Sequence, residues 1–195
     1  MRVLVVYAHP VEGSFCSIMR DQVVEALNGS GHQVDLLDLY AENFDPVFSA
    51  EEHRLQRSGP GEKPAVADQA RRLCDAEALV LVYPTWWGGQ PAILKGWIDR
   101  VWIEGVAYTV PAGAKRVKPL LTQMRSLSVV TTHGSSKLVN AVGGEPGKRV
   151  ALRGLRALCG LTTPVHWVAC YGMDRATNRQ RDRFIKRAQA AMSRL

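Results

Sequence analysis

Four short apolar runs, separated by stretches of helical spacing, constrain this chain more than any other feature. Val3 to Ala8 (VLVVYA) is continuous and rich in β-branched residues, the pattern of a strand buried on both faces of a parallel sheet. Ala78 to Tyr83, Leu127 to Thr132 and Pro164 to Tyr171 repeat it, and a more polar strand is predicted at Val34 to Leu39. Helices are predicted between them. The first follows Ser14, a good N-cap, and closes at Gly29 as the C′ residue. Others cover Ala65 to Ala76, Pro91 (at the first helical position) to near Gly105, Lys148 to Leu158 with Gly160 as cap, and Arg175 to Leu195. Ile93, Leu94, Trp97, Ile98, Val101 and Trp102 form one buried stripe, and Phe184, Ile185, Ala188, Ala191, Met192 and Leu195 another. Such alternation predicts an α/β chain with a parallel sheet covered on both faces. Right-handed crossovers through five strands allow the order 2-1-3-4-5, as a single domain over residues 1–195.

Three stretches interrupt the alternation. Tyr40 to Pro64 is irregular, with a short helix near Ser49 to Arg57 that Ser49 and Glu52 would cap as a box. Gly105 to Met124 carries Tyr108, Pro111 and a basic patch of Lys115, Arg116 and Lys118, and His133 to Gly147 is rich in glycine.

Composition removes several classes of function. No apolar run approaches the roughly eighteen residues of a membrane-spanning helix, and the N-terminal MRVLVVYAH reads as a strand rather than a signal peptide. Cys16, Cys74, Cys159 and Cys170 are scattered, which points to free thiols in a cytoplasmic protein rather than disulfides or a metal site. The net charge is +7. From Lys148 onward eleven Lys and Arg face only Asp174 and Asp182, and Arg175, Arg179, Arg183 and Arg187 recur every four residues along a helix face. That face is either simply solvated or binds an anionic small molecule. Nucleic acid is not expected, because no aromatic residues interleave the basic ones.

In the order 2-1-3-4-5 the loops after the first, third and fourth strands meet at the switch point, where ligands of open sheets sit. The first, His9 to Ser14, leads into a helix N-terminus suited to a phosphate. It is neither a Walker loop nor a G-x-G-x-x-G turn, and Ser14 serves there as cap, phosphate ligand or both. The second, Pro84-Thr85-Trp86-Trp87-Gly88-Gly89, offers aromatic walls and open backbone N–H groups, although core packing of the two tryptophans stays open. Thr131-Thr132-His133-Gly134 supplies a polar edge. A phosphate site, a flat-ring site and a polar edge together match the shape of a flavin nucleotide.

These residues also carry a family resemblance. A-H-P-V-E-G-S-F (Ala8 to Phe15), L-Y-A-E-N-F-D-P (Leu39 to Pro46), P-T-W-W-G-G-Q-P-A-I-L-K-G-W-I-D-R-V (Pro84 to Val101), G-V-A-Y-T (Gly105 to Thr109) and T-T-H-G (Thr131 to Gly134) make the chain resemble the flavodoxin-like NAD(P)H:quinone reductases of the DT-diaphorase type, including their shorter bacterial members. The resemblance implies a flavodoxin-like fold and a cytoplasmic homodimer. It implies FMN or FAD as cofactor, with FMN slightly favoured by the short chain, NADPH or NADH as donor, and a quinone-like acceptor reduced by a ping-pong cycle. It places His9, Ser14, Phe15 and Cys16 around the flavin phosphate. Pro84, Thr85, Trp86, Trp87 and Gly88 form the ring cradle, with Trp87 on the substrate side. Thr131, Thr132, His133 and Gly134 take the opposite ring edge. Tyr108 matches a position that reaches the partner's site, so Tyr108 and His133 are the candidate catalytic side chains. Arg179 could pair with the second phosphate of FAD, and the arginines lean toward NADPH.

The chain departs from the family at four places. His133 replaces the first glycine of T-T-G-G, Val139 falls where a relay tyrosine is expected, Glu145 lies near the place of a relay histidine, and Cys16 replaces a common asparagine. The relay pair therefore does not carry over. Two rival functions remain beside the reductase: a one-electron carrier of the flavodoxin kind, and an ancillary flavoprotein of a cation-efflux transporter.

Overall fold

The computed structural model describes residues 1–57 and 66–195, with side chains for all of these except 55–57. The chain begins with β1 (Arg2–Tyr7), α1 (Phe15–Gly29), β2 (Gln33–Asp38), α2 (Ala50–Arg57), α3 (Ala67–Asp75), β3 (Ala78–Pro84) and α4 (Ala92–Val101). It continues through β4 (Tyr108–Thr109), β5 (Lys118–Pro119), β6 (Ser126–His133), α5 (Lys137–Val142), α6 (Pro146–Arg149), a π-helical turn (Val150–Leu155), α7 (Arg156–Cys159), β7 (Val165–Tyr171) and α8 (Asn178–Met192). Five strands form a parallel sheet in the order β2-β1-β3-β6-β7, the expected 2-1-3-4-5.

The apolar runs are continuous because the sheet is buried on both faces. Val3, Val5 and Tyr7 of β1, with Ala78, Val80 and Val82 of β3, pack under α1 and α8. Their alternates Leu4, Val6, Leu79, Leu81 and Tyr83 pack against Trp97, Leu94 and Val101 of α4. The whole predicted stripe of α4 is buried, and Phe184, Ala188 and Met192 of α8 are buried against the other face, where Ile185, Ala191 and Leu195 are partly buried. Burial of this kind, at about 25 cal/mol per Å² of apolar surface, is the main term holding the layers together.

Several boundaries differ from the sequence expectation, each for a local reason. Gly29 is still helical; the chain leaves α1 through Ser30, and Gly31 takes the positive φ of 79°. Pro91 is the N-cap rather than the first helical residue, with ψ 151°. α4 stops at Val101, and Gly105 at φ 82° turns the chain afterwards. The Gly105 to Met124 stretch folds back on itself as the antiparallel pair β4–β5, with Tyr108 opposite Pro119. The helix expected from Lys148 begins two residues earlier at Pro146 and passes through the π turn. α8 begins at Asn178 because Thr177 and Gln180 close a capping box there, so Arg175 belongs to the short 3-10 turn before it. Ala65 and the 58–64 part of the irregular stretch lie outside the described residues.

Two arginines anchor the connections. Arg100 of α4 is buried; its guanidinium donates to Glu52 Oε1 at 2.6 and 2.9 Å and to the Asp45 carbonyl, and it lies over the Phe44 ring. Glu52 is the residue that completes the box with Ser49, each bond 3.1 Å. Gly96 permits this approach, since a Cβ there would sit 2.4 Å from the Pro46 carbonyl oxygen. Arg72 of α3 donates to Asp35, Glu42 and the Leu36 carbonyl at 2.6 to 2.9 Å, while the Glu42 N–H takes the Asp38 carbonyl at 2.9 Å. Both carbonyls belong to the outer edge of β2.

Candidate functional site

The carboxyl ends of β1, β3 and β6 bring the three expected loops together. β1 and β3 are in register to Tyr7 and Val82, and the Ala8 N–H extends the ladder to Val82. β3 and β6 continue through Pro84 opposite Thr132, where the Thr85 N–H donates to the Thr132 carbonyl at 2.7 Å.

At the first loop Ser14 caps α1, its hydroxyl accepting from the Ser17 N–H at 3.1 Å. Among the described residues no protein acceptor meets the N–H groups of Phe15 and Cys16, which leaves them and the helix dipole facing outward. His9 Nδ1 is held within the loop, 3.1 Å from the Val11 nitrogen, 3.2 Å from the Val11 carbonyl oxygen and 3.1 Å from the Ser14 hydroxyl. The His9 ring lies 6.3 Å from that of Trp86. Arg20 braces the loop through Glu12, and Arg181 of α8 places its guanidinium 5.8 Å above the Phe15 ring. The Cys16 thiol is buried beneath α1, and burial pushes its pKa up to about 12. Only its backbone is therefore presented to the loop.

The second loop is a tight turn. Trp86 and Gly89 exchange both backbone hydrogen bonds, at 3.1 and 3.0 Å, with Trp87 at φ 50° and Gly88 at φ 77° between them. Positive φ at both central residues is the type I′ pattern. It throws the Trp87 indole entirely into solvent, 104% exposed against 43% for Trp86. Core packing of these two residues is thereby ruled out in the single chain. Among the described residues the Trp87 and Gly88 N–H groups have no protein acceptor.

The third loop holds a hydrogen-bonded chain. Asn140 of α5 donates from Nδ2 to the Ser135 and Ser136 carbonyls at 3.2 and 2.8 Å, so its Oδ1 faces His133 Nδ1 at 2.8 Å. His133 Nδ1 must then carry the proton. The His133 side chain is 4% exposed, and burial lowers its pKa, keeping the ring neutral. Its Nε2 accepts from the Thr85 hydroxyl at 3.3 Å, and Thr85 Oγ1 in turn lies 2.9 Å from Thr131 Oγ1. Both nitrogens of His133 are thus engaged within the protein; Thr131 is buried behind Thr85, and Thr85 is the hydroxyl of this hydrogen-bonded chain that reaches the crevice. Gly134 leaves room for Asp174, whose Oδ2 would lie 2.6 Å from a Cβ at that position.

Sequence reasoning singled out His133 and Glu145 but missed the residues that join them. His133 and Tyr171 are direct partners in the β6–β7 register, and their rings stack at 4.5 Å. The Tyr171 hydroxyl donates to Glu145 Oε1, and Lys148 donates to Glu145 Oε2 at 3.1 Å. The Tyr171 hydrogen bond, helped by Lys148, holds Glu145 below the usual carboxylate range, while burial and Glu145 raise Tyr171. Glu145 itself sits at φ 44°, strained for a residue with a side chain. Gly147 closes the site from below: its N–H donates to the Gly88 carbonyl at 2.9 Å, and Gln90 Nε2 returns to the Gly147 carbonyl at 3.0 Å.

Thr85, Trp87, Gly88, His133, Gly134 and Glu145 line part of one crevice of about 410 Å³. Tyr108 is not among its lining residues; it is partly buried against the core beneath the opposite layer. Arg175, Arg179, Arg183 and Arg187 are all exposed. Among the described residues no cluster of His, Cys, Asp and Glu could hold a metal, and no helix is long and apolar enough to cross a membrane.

A doubly wound parallel sheet with a crevice beyond the carboxyl ends of β3 and β6 defines the class. The chain belongs to the family described as having a flavodoxin-like fold, whose signature matches residues 1–195. NAD(P)H dehydrogenase [quinone] 1 of Rattus norvegicus is 32% identical over 180 residues, covering 82% of this chain and 65% of the rat protein. The Cavia porcellus protein of the same name is 32% identical over 158 residues, 73% of this chain and 57% of its own length. This chain therefore spans well under the full length of both. Among solved structures, the NAD(P)H:quinone oxidoreductase from Methanothermobacter marburgensis superposes with a TM-score of 0.84 at 28% identity, covering 99% of this chain and 98% of that one.

Proposed function

We propose that this chain is a flavin-dependent NAD(P)H oxidoreductase that passes hydride to a quinone-like small molecule, with FMN the favoured flavin. The observation that carries the reading is that three unlike surfaces stand side by side at the carboxyl ends of β1, β3 and β6: unsatisfied N–H groups at the α1 N-terminus, an exposed indole on a type I′ turn, and a polar edge at Thr85 and His133, of which the turn and the polar edge line the crevice. These fit the group. The Phe15 and Cys16 N–H groups, with the Ser14 hydroxyl beside them once it turns from His9, suit its phosphate, and the Trp87 and Gly88 N–H groups suit the acceptor atoms of a flat ring.

When bound, the flavin supplies a ring that takes hydride from reduced nicotinamide and yields it to an acceptor. The protein's part is positioning and electrostatics. The neutral His133 fixes the direction of the Thr85 hydroxyl, and Trp87 provides an aromatic wall over the crevice mouth. A single crevice serving donor and acceptor in turn makes the order ping-pong. Tyr108, away from the crevice of its own chain, reaches that of a partner in a homodimer. Free thiols, one of them exposed at Cys74, accord with a cytoplasmic protein.

The test is the absorbance spectrum of the purified protein, then anaerobic stopped-flow mixing with NADPH or NADH. A yellow protein that bleaches, and recovers on adding menadione, is expected. A protein that takes up neither FMN nor FAD, or holds flavin that neither nucleotide bleaches, overturns the reading.

A further inference from the structure

Beside the crevice lies a second cavity, of about 250 Å³, lined by Ala141, Gly144, Glu145, Lys148, Arg149, Leu152 and Arg153. Glu145 is a wall of both cavities, so a ligand seated in the first can extend past the 143–145 turn into the second. Three cations face one carboxylate there, and Lys148 already holds that carboxylate. Elsewhere in the chain Arg20, Arg71, Arg72 and Arg100 each bind carboxylates. Arg149 and Arg153 bind none among the described residues. They stand four residues apart across the start of the π turn and border the same cavity. The Arg149 guanidinium folds back over Gly144, where a Cβ would come within 3.6 Å of it. Ala141 and Leu152 add apolar surface between the charges.

We propose that this cavity receives the 2′-phosphorylated adenosine end of NADPH, with Arg149 and Arg153 binding the 2′-phosphate, and so selects NADPH over NADH. The inference rests on reading the larger crevice as the nicotinamide and flavin site. The chemistry that distinguishes the two donors is a dianionic phosphomonoester, the group that paired guanidinium forks recognise best. Glu145 also lines the cavity, but both of its oxygens are already met, by Lys148 and Tyr171, which leaves Arg149 and Arg153 for the phosphate.

Calorimetric titration of the purified protein with adenosine 2′,5′-bisphosphate, ADP and inorganic phosphate separates the sources of a phosphate signal. The bisphosphate should bind on the order of tenfold more tightly than ADP. An Arg149→Ala/Arg153→Ala double variant should lose that preference, and an Arg183→Ala variant on exposed α8 should keep it. In steady-state assays the ratio of kcat/KM for NADPH over NADH should fall by on the order of tenfold in the double variant. Both arginines are exposed, so circular dichroism should report an unchanged fold. Equal binding of bisphosphate and ADP, or a preference that survives the double substitution, overturns the proposal. Turnover with neither nucleotide would overturn the oxidoreductase reading instead, while the bisphosphate titration would still decide the fate of the cavity.

Discussion

Replacing Trp87 with asparagine should make the protein more stable and a poorer catalyst. Trp87 occupies the first central position of its turn at φ 50°, followed by Gly88 at φ 77°. A left-handed conformation costs a residue with a side chain about 1–2 kcal/mol, and asparagine tolerates it best after glycine. No burial is lost on truncation, because the indole is 104% exposed. Asparagine followed by glycine is also the preferred pair for a type I′ turn. The net gain is about 1 kcal/mol, or roughly 2–4 °C in Tm for a chain of this size. Urea unfolding followed by tryptophan fluorescence and far-ultraviolet circular dichroism measures it. The same variant should retain flavin and show a changed kcat/KM for menadione, since the wall over the crevice is gone. A destabilisation of about 1 kcal/mol or more would refute the reasoning, for it would mean that the indole has packing partners, such as a second subunit. Unchanged acceptor kinetics would refute the catalytic half.

Two further outcomes test other parts of the structure. Burial lowers the His133 pKa below its unfolded value near 6.5, so its contribution to stability is complete above about pH 6.5 and is lost as the pH falls toward the folded-state pKa, with a slope of up to about 1.4 kcal/mol per pH unit; urea midpoints between pH 7.5 and 5.5 should fall less steeply in a His133→Asn variant, and parallel slopes would contradict a buried neutral ring. Gly96→Ala should cost about 3 kcal/mol in urea unfolding, because its Cβ would meet the Pro46 backbone at 2.4 Å; a cost below about 1 kcal/mol would mean that the 44–52 segment does not pack there in solution.

Much of the fold was legible because local signals agreed with the global arrangement. The strand of Val3 to Ala8, the stripe of α4 and the Ser49–Glu52 box each depend on residues a few positions apart, and each stands where periodicity and capping chemistry put it. The loop at Pro84 to Gly89 was legible as a loop, but its closure into a Trp86–Gly89 turn with Trp87 at positive φ was not. What stayed hidden needs the third dimension. Gln90 meets Gly147 across 57 residues, and Tyr171 meets Glu145 across 26. Tyr171 closes an ordinary-looking strand, and only its register opposite His133 reveals its place at the site. Asn140 was concealed in a glycine-rich stretch, although the Ser136 cap that starts its helix offered a signal. Of two nearby glycines, Gly29 and Gly31, the second takes the positive φ, because the helix runs two residues further than the spacing suggested.

The anchoring of β2 bears on what happens when many copies of this chain are crowded together. An edge strand in a parallel sheet invites a neighbour to add a sixth, because its outward carbonyls and N–H groups lie ready to pair. Here the Leu36 carbonyl is taken by Arg72 and the Asp38 carbonyl by Glu42. An incoming strand would have to evict a guanidinium and strand Asp35 against its own backbone. The ion pair that trims the long connection therefore also guards the open flank of the sheet against runaway polymerisation, and a variant such as Arg72→Ala should reveal that protection as faster fibril or aggregate formation on gentle heating.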